Sequence, residues 1–333
     1  KFIMFFGEVK TKDSENGILS TSLMLDENGL KIKIKKGTLI NKKIINLLLE
    51  NKIKYITCAK LEKNDVDENL AVHKISKQLI NKKNSNLKLS TATQGRCNIL
   101  SKINGLLKFD PQQLLSINSI TDEIGVASLK PYSLIKKDQT VASIKAIPFG
   151  INKNILQKIE KASIECLQIL PFQNLNIHLI QTKNENTPDK ILKKTVLVTE
   201  KRLLSLNLKK FVDKICDHNV KSLSKIIQNS IEEGANIILV FGVSAICDIN
   251  DIIPQALRVN NGTLVRLGMP VEPGNLMLLG QIHNSNKTIP FIGMPGCARS
   301  QKENGVDWIL WRLFCGLDIC NEDINEMGNG GLL

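Results

Sequence analysis

Three short loops hold most of the residues with chemical reach. The first, Phe241-Gly242-Val243-Ser244-Ala245-Ile246-Cys247-Asp248-Ile249-Asn250-Asp251, follows the apolar run Ile237 to Val240. Ser244 offers a hydroxyl for a phosphate, and Asp248 or Asp251 offers the hard oxygen donors that a divalent cation such as Mg²⁺ takes. In the second, Gly268 to Asn275, the residues Pro270, Pro273 and Gly274 fix a rigid turn that leaves Glu272 and Asn275 little freedom. The third runs from Gly293 to Asn304. It carries Pro295-Gly296 and then Arg299, Ser300 and Lys302, which supply a guanidinium fork, a hydroxyl and an ammonium. An apolar helical pattern follows at Trp308, Ile309, Leu310, Leu313 and Phe314. A loop entering a helix N-terminus exposes unpaired amides and the positive end of the helix dipole, so this segment reads as an anion site. Glu303 and Asp307, about one turn apart, are placed to orient Arg299.

Each loop also has a plainer reading. Asp251 can serve as a helix N-cap and Asp248 as a solvated loop charge. The Pro270 to Asn275 turn can be a simple strand connection. Arg299 with Glu303 can be a surface pair worth less than ~1 kcal/mol. The four histidines, His73, His178, His218 and His283, show no metal-ligand spacing and read as surface or core residues. Cys247 and Cys297 fall in the loops without a base nearby in sequence and read as packing. Neither G-x-x-x-x-G-K-[ST] nor G-x-G-x-x-G occurs.

The loops need elements to hold them. An apolar β-branched strand that empties into a Gly/Ser/Asp loop is how an open α/β sheet builds a ligand crevice at its carboxyl edge. From Asn174 onward strand and helix patterns alternate, as a doubly wound sheet requires. Strands are expected at Leu175 to Ile180, Phe211 to Ile215, Ile237 to Val240, Leu276 to Ile282 and Ile289 to Ile292, the last two in a hairpin around Asn284-Ser285-Asn286. Helices are expected at Thr195 to Leu206, Val220 to Glu233 and Asp251 to Leu257. Upstream, strands at Leu30 to Ile34, Lys52 to Cys58 and Thr140 to Ile147 mix with a helix capped by Asn41, one running to Ile80, and one from Lys153 to Gln168. The division is 1–172 as a mixed α+β domain, 173–320 as an α/β domain, and 321–333 as a Gly-rich linker holding Gly328, Gly330 and Gly331.

The 333 residues are enough for two ordinary cores. No apolar run approaches ~18 residues, and Phe2 to Phe6 is too brief for a signal peptide, so no membrane segment is expected. Eight cysteines stand singly, with no C-x-x-C pair, which fits reduced thiols in the cytoplasm. The formal charge of +13 comes mostly from Lys spread along the chain, and aromatics are only 4%, which fits a basic surface better than a nucleic-acid site.

Together the three loops resemble the molybdopterin-binding domain of molybdenum-cofactor biosynthesis proteins, the Mog/MoeA-type fold. Gly242-Val243-Ser244 with Asp248 and Asp251 is similar to that family's glycine-rich loop and following aspartate. Met294-Pro295-Gly296 before Arg299-Ser300 is similar to its closing PG loop, and Val271-Glu272-Pro273-Gly274-Asn275 to its other PG loop. The runs Gly268 to Gly280 and Pro295 to Trp308, with Gly95-Arg96 and Ala146-Ile147-Pro148-Phe149, resemble the N-terminal region of a bacterial two-part protein that ends in a nucleotidyltransferase. The resemblance implies a three-layer, doubly wound, mostly parallel α/β sheet after the α+β domain, with 321–333 leading toward a transferase.

It also implies a function. Molybdopterin would dock through its phosphate on Pro295, Gly296, Arg299, Ser300 and Lys302, with Gly242, Ser244, Pro273, Gly274 and Asn275 completing the pocket. Ser244, Asp248 and Asp251 would act at the reacting end with Mg²⁺, ATP and molybdate, supporting adenylyl transfer, molybdate insertion or later nucleotide attachment. The alternative is a non-catalytic module presenting molybdopterin to a nucleotidyltransferase or a molybdoenzyme, and either form could be a homo-oligomer. Two departures stand out: Phe241 replaces the first Gly of the double-glycine loop, and Lys193-Lys194 occupy the place of an expected acid.

Overall fold

Leu179, Ile180, Ile237, Ile238, Leu239 and Val240 are all buried, so neighbouring side chains pointing to opposite faces of one sheet are both shielded from water. Strands of that kind form the centre of a sheet covered on both sides. The structure is a computed structural model that describes residues 4–80, 85–284 and 287–333. The start of the Phe2 to Phe6 patch and the Ser285-Asn286 turn lie outside the described residues. Mixed α/β in class, the chain divides into two compact units, 1–103 with 107–170 and 104–106 with 171–333.

In the first unit a four-stranded antiparallel sheet is built from β1 (Leu87–Leu89), β2 (Arg96–Ser101), β3 (Ile124–Ser128) and β4 (Thr140–Ala146), in the order β3-β4-β2-β1. Its inner face packs on α1 (Glu68–Leu79) and α2 (Lys153–Ala162) through Val72, Ile75, Cys97, Ile99, Ile144, Leu156 and Ile159. Helix α1 begins at Asp67, whose carboxylate accepts from the amides of Asn69 and Leu70. Helix α2 stops at Ala162, short of the expected Gln168. The next residues turn, with Glu165 at φ 53°, and Gln168–Pro171 becomes a strand.

The second unit holds β5 (Ile177–Lys183), α3 (Asp189–Leu204), β6 (Val212–Asp217), α4 (Val220–Glu232), β7 (Ile237–Phe241), α5 (Ile252–Val259), β8 (Gly262–Leu267), β9 (Leu278–Asn284), β10 (Lys287–Met294), α6 (Gly305–Phe314) and α7 (Asn321–Glu326). The strands form one sheet in the order β6-β5-β7-β10-β9-β8. The first four are parallel, β9 pairs antiparallel with β10, and β8 pairs antiparallel with β9. Helices α4 and α5 cover one face through Leu223, Ile227, Ile253, Ala256 and Leu257. Helix α3 starts six residues before the expected Thr195, directly after Pro188, which a first helical turn tolerates. Strand β8 has no counterpart in the sequence reading, because its half-exposed residues alternate too weakly.

From β5 the chain crosses to β6 on one side and then to β7 on the other. The space beyond the carboxyl ends of β5 and β7 is therefore a topological switch point, where α/β sheets bind ligands.

The tail corrects the linker expectation. Residues Asn321–Glu326 form α7, Ile324 and Met327 are buried, and Arg266 Nη1 donates to Asn321 Oδ1 at 2.7 Å and Asn325 Oδ1 at 2.9 Å. The Glu272 amide donates to Gly331 O at 2.7 Å and the Leu333 amide to Glu272 O at 2.8 Å. Glycine content signals freedom in an unfolded chain, but here backbone pairing and two buried apolar side chains remove it.

His178 lies fully buried in β5, with both ring nitrogens lacking a hydrogen bond and Nδ1 3.9 Å from Glu233. Burial, with Lys214 in support, pushes its pKa below the ordinary 6.5, against the pull of Glu233. Above 6.5 both folded and unfolded chains hold it neutral. As pH falls through 6.5 the unfolded chain gains a proton that the folded chain refuses, so stability drops. Urea unfolding at pH 7.5 and pH 6 should show this loss, and His178→Gln should show a smaller one.

Candidate functional site

Four loops gather at the carboxyl edge of the second unit's sheet because of strand direction. β7 and β10 run parallel and end there at Phe241 and Met294. β9 runs the other way, with Leu278 opposite Gly293, so the Pro270 to Asn275 loop that feeds it reaches the same edge. β6 ends there at Asp217, just ahead of His218.

Arg299 ties the first and third loops together. Its Nη2 donates to Gly242 O at 2.9 Å, its Nε to Thr195 Oγ1 at 3.2 Å, and its guanidinium lies 4.6 Å from the centre of the Phe241 ring. Burial alone pushes its pKa down, and no carboxylate pairs with it among the described residues. Glu303 instead accepts from Trp308 Nε1 at 2.8 Å, and Asp307 pairs with Arg202. The expectation that Glu303 and Asp307 orient Arg299 is therefore corrected: a ring and two neutral oxygens hold it.

Arg202 on α3 escaped the sequence reading. Its Nε donates to Asp307 Oδ1 at 2.5 Å, its Nη1 to Ala298 O at 2.9 Å and its Nη2 to Ser300 O at 3.1 Å. One buried guanidinium thus fixes the backbone on both sides of Arg299. The available signal was the spacing Thr195, Thr199, Arg202, which puts an arginine on the buried stripe of a helix.

The helix-terminus reading is also corrected. Residues Gly296–Arg299 form a 3₁₀ turn, and α6 begins only at Gly305. Arg299, Ser300 and Lys302 therefore precede the helix and do not belong to its first turn. The start of α6 is already closed: Asn304 caps it, Asp307 Oδ2 accepts from the Asn304 amide at 2.9 Å, and the Gly305 amide donates to Pro273 O at 2.9 Å. Gly274 makes that approach possible. It sits at φ 135°, and a Cβ there would lie 2.7 Å from the Gly305 nitrogen. The second loop thus joins the foot of α6. Asn275 is exposed, with its carbonyl accepting from the Met269 amide at 2.9 Å.

Ser244 and Gly296 are exposed, and Gly296 faces open space. Pro295 is buried, with its carbonyl accepting from the Ala298 amide at 3.0 Å. Ser300 and Lys302 are exposed, and Ser300 Oγ accepts from the Lys302 amide at 3.3 Å. Asp248 Oδ1 accepts from the Asn250 amide at 2.7 Å, and Asp251 Oδ1 caps α5 through the Ile252 amide at 2.7 Å. Each carboxylate keeps a second oxygen. Among the described residues no group of three or more His, Cys, Asp and Glu side chains is arranged to hold a metal, so Mg²⁺ at Asp248 and Asp251 would also need oxygens from a ligand.

The ends of β5 and β6 add a pair the sequence reading set aside. Thr182 Oγ1 and His218 Nδ1 are 2.8 Å apart, and Thr182 also donates to Phe241 O at 3.3 Å. Burial lowers the His218 pKa, and nearby Asp251 opposes that shift. Burial thus biases the ring toward its neutral form at the end of β6, next to Thr182. His218 reads as a surface or core residue in the sequence because its partners, Thr182 on β5 and Asp251 at the start of α5, are distant along the chain.

No helix among the described residues is long and apolar enough to cross a membrane. No protein-family model matches the chain, and no curated protein matches it. Among solved structures it is similar to a chain described as "Putative molybdenum cofactor biosynthesis protein from Corynebacterium diphtheriae", with 14% identity over 44% of this chain and 100% of that one, at a TM-score of 0.29. A likeness of that size carries no argument, so the functional reading rests on the residues themselves.

Proposed function

We propose that the second unit binds molybdopterin in molybdenum-cofactor biosynthesis, its sheet and helices forming the three-layer, doubly wound molybdopterin-binding fold. The observation that carries this reading is Arg299, a half-buried cation at the switch point with no anionic partner among the described residues. Holding such a charge out of water is costly unless an anion completes it. Two of its five N–H groups are engaged by Thr195 and Gly242, which leaves three for a phosphate. Ser244, Gly296, Ser300 and Lys302 stand exposed on the same two loops to complete that contact, and the pterin would lie toward Pro273, Gly274 and Asn275.

The catalytic form of the proposal adds ATP, molybdate and Mg²⁺, with Asp248 and Asp251 turned to the metal and Ser244 to the transferred group. Such chemistry is mostly positioning and charge stabilisation, so it requires no nucleophilic side chain. A second reading, a module that holds the finished pterin for a nucleotidyltransferase or molybdoenzyme, is favoured by the two aspartates already serving as turn and cap acceptors.

The test is binding of purified molybdopterin to the chain, followed by incubation with ATP, Mg²⁺ and molybdate. Arg299→Ala should weaken pterin binding by ~10-fold or more, as expected for losing a charged hydrogen-bond donor. Equal binding by parent and variant defeats the proposal. Binding without turnover selects the presenting module.

A further inference from the structure

On the outer face of the first unit's sheet, Arg96 on β2 and Lys145 on β4 are direct cross-strand partners. Like charges directly opposite each other weaken a ladder. The local structure nevertheless holds both in place. Thr93 and Arg96 exchange backbone hydrogen bonds of 3.0 Å around Gln94 and Gly95, whose φ values of 50° and 66° make a two-residue type I′ turn. The Gly95 amide donates to Asn69 Oδ1 at 2.9 Å, and Lys145 Nζ donates to Gln94 O at 2.5 Å. A Cβ on Gly95 would lie 2.4 Å from Glu68 Oε2 and 2.9 Å from Lys145 Nζ, so a larger residue would displace both side chains as well as strain the positive φ.

Arg96, Lys145, Thr93, Gln94, Asn98 and Ser90 line a cavity of about 280 Å³ whose lining includes no carboxylate. Glu68 lies buried against the turn, where loss of water favours its neutral form and the charge of Lys145 opposes that shift. The Arg96 guanidinium is exposed and makes no hydrogen bond or ion pair among the described residues. Beside Lys145 on the neighbouring strand stands Gly125, which faces open space.

We infer that this cavity is a binding site for a compact phosphate-bearing anion, held by the Arg96 fork and the Lys145 ammonium, with the Thr93 hydroxyl and the Asn98 amide as neutral donors. A guanidinium pairs two of its N–H groups with two phosphate oxygens, and an ammonium adds a point charge. The volume admits a phosphate with a small group attached. The site belongs to the first unit alone and does not depend on what the second unit binds.

Calorimetric titration of the full chain with inorganic phosphate, pyrophosphate and AMP tests the inference. One site is expected whose affinity falls ~10-fold or more in Arg96→Gln and in Lys145→Gln, and which persists in Arg299→Gln. Arg96→Gln should melt at or above the parent temperature, because it relieves the opposed charges and breaks no hydrogen bond among the described residues, so lost binding in that variant cannot be ascribed to unfolding. Preference for AMP over pyrophosphate identifies an organic phosphomonoester, and the reverse order identifies a free phosphate; either supports the site. Unchanged affinity in Arg96→Gln overturns it, as does binding of none of the three probes. A response only to random duplex DNA, steep in salt and without a one-to-one endpoint, marks a merely basic surface and overturns it too.

Discussion

Arg202→Ala is expected to lower unfolding stability by about 3–5 kcal/mol, because it leaves the Asp307 carboxylate buried without its cation. The side chains of the pair are 6% and 9% exposed, so water cannot replace the lost partner without opening the unit. Two carbonyls, Ala298 O and Ser300 O, lose their donors in the same step. Arg202→Lys should recover little, since a single ammonium cannot span a carboxylate and two separate carbonyls. Chemical denaturation of parent, Arg202→Ala, Asp307→Asn and the double variant measures the coupling. If the single losses simply add, the pair does not act as a unit. The segment that carries Arg299 should also loosen, so anion binding at the switch point should fall along with stability.

Phe241→Ala is expected to cost about 3–5 kcal/mol, the usual range for emptying a fully buried aromatic site. The ring is 1% exposed. The same ring supports the Arg299 guanidinium, and a cation on an aromatic face gains ~0.5–2 kcal/mol. Phe241→Leu separates the two roles. It keeps most of the volume and should fold with a loss below about 1.5 kcal/mol, while Arg299 loses its platform and ligand affinity drops. A Phe241→Leu variant that binds as tightly as the parent would show that the ring serves packing alone. Phe241 thus serves both the core and the cation that rests on its ring.

Much of the second unit is legible from the sequence. The apolar run at Ile237 to Val240 and the alternation of strands with 3.6-period helices define parallel strands wrapped by helices, because burial imposes those periods locally. Caps at Asn41 and Asp251 are legible for the same reason: a side chain two or three bonds from its own backbone finds the first free amide. The Gly-rich tail misleads because composition reports the unfolded chain's freedom and says nothing of Arg266 or Glu272, which pin it from more than 45 residues away.

By itself the sequence determined which short segments hold side chains with chemical reach: Gly242 to Asp251, Pro270 to Asn275, and Pro295 to Lys302. Which groups in them hold each other was decided by the tertiary structure. Arg299 rests on Phe241 and Gly242, not on Glu303, and Asp307 answers Arg202 from a helix 105 positions away. Thr182 and His218, 36 positions apart, meet only because two strands that share no loop lie side by side. Periodicity and capping act over a few residues and leave their mark in local spacing, whereas charge pairing and ring support depend on which strand ends the sheet order brings to one edge.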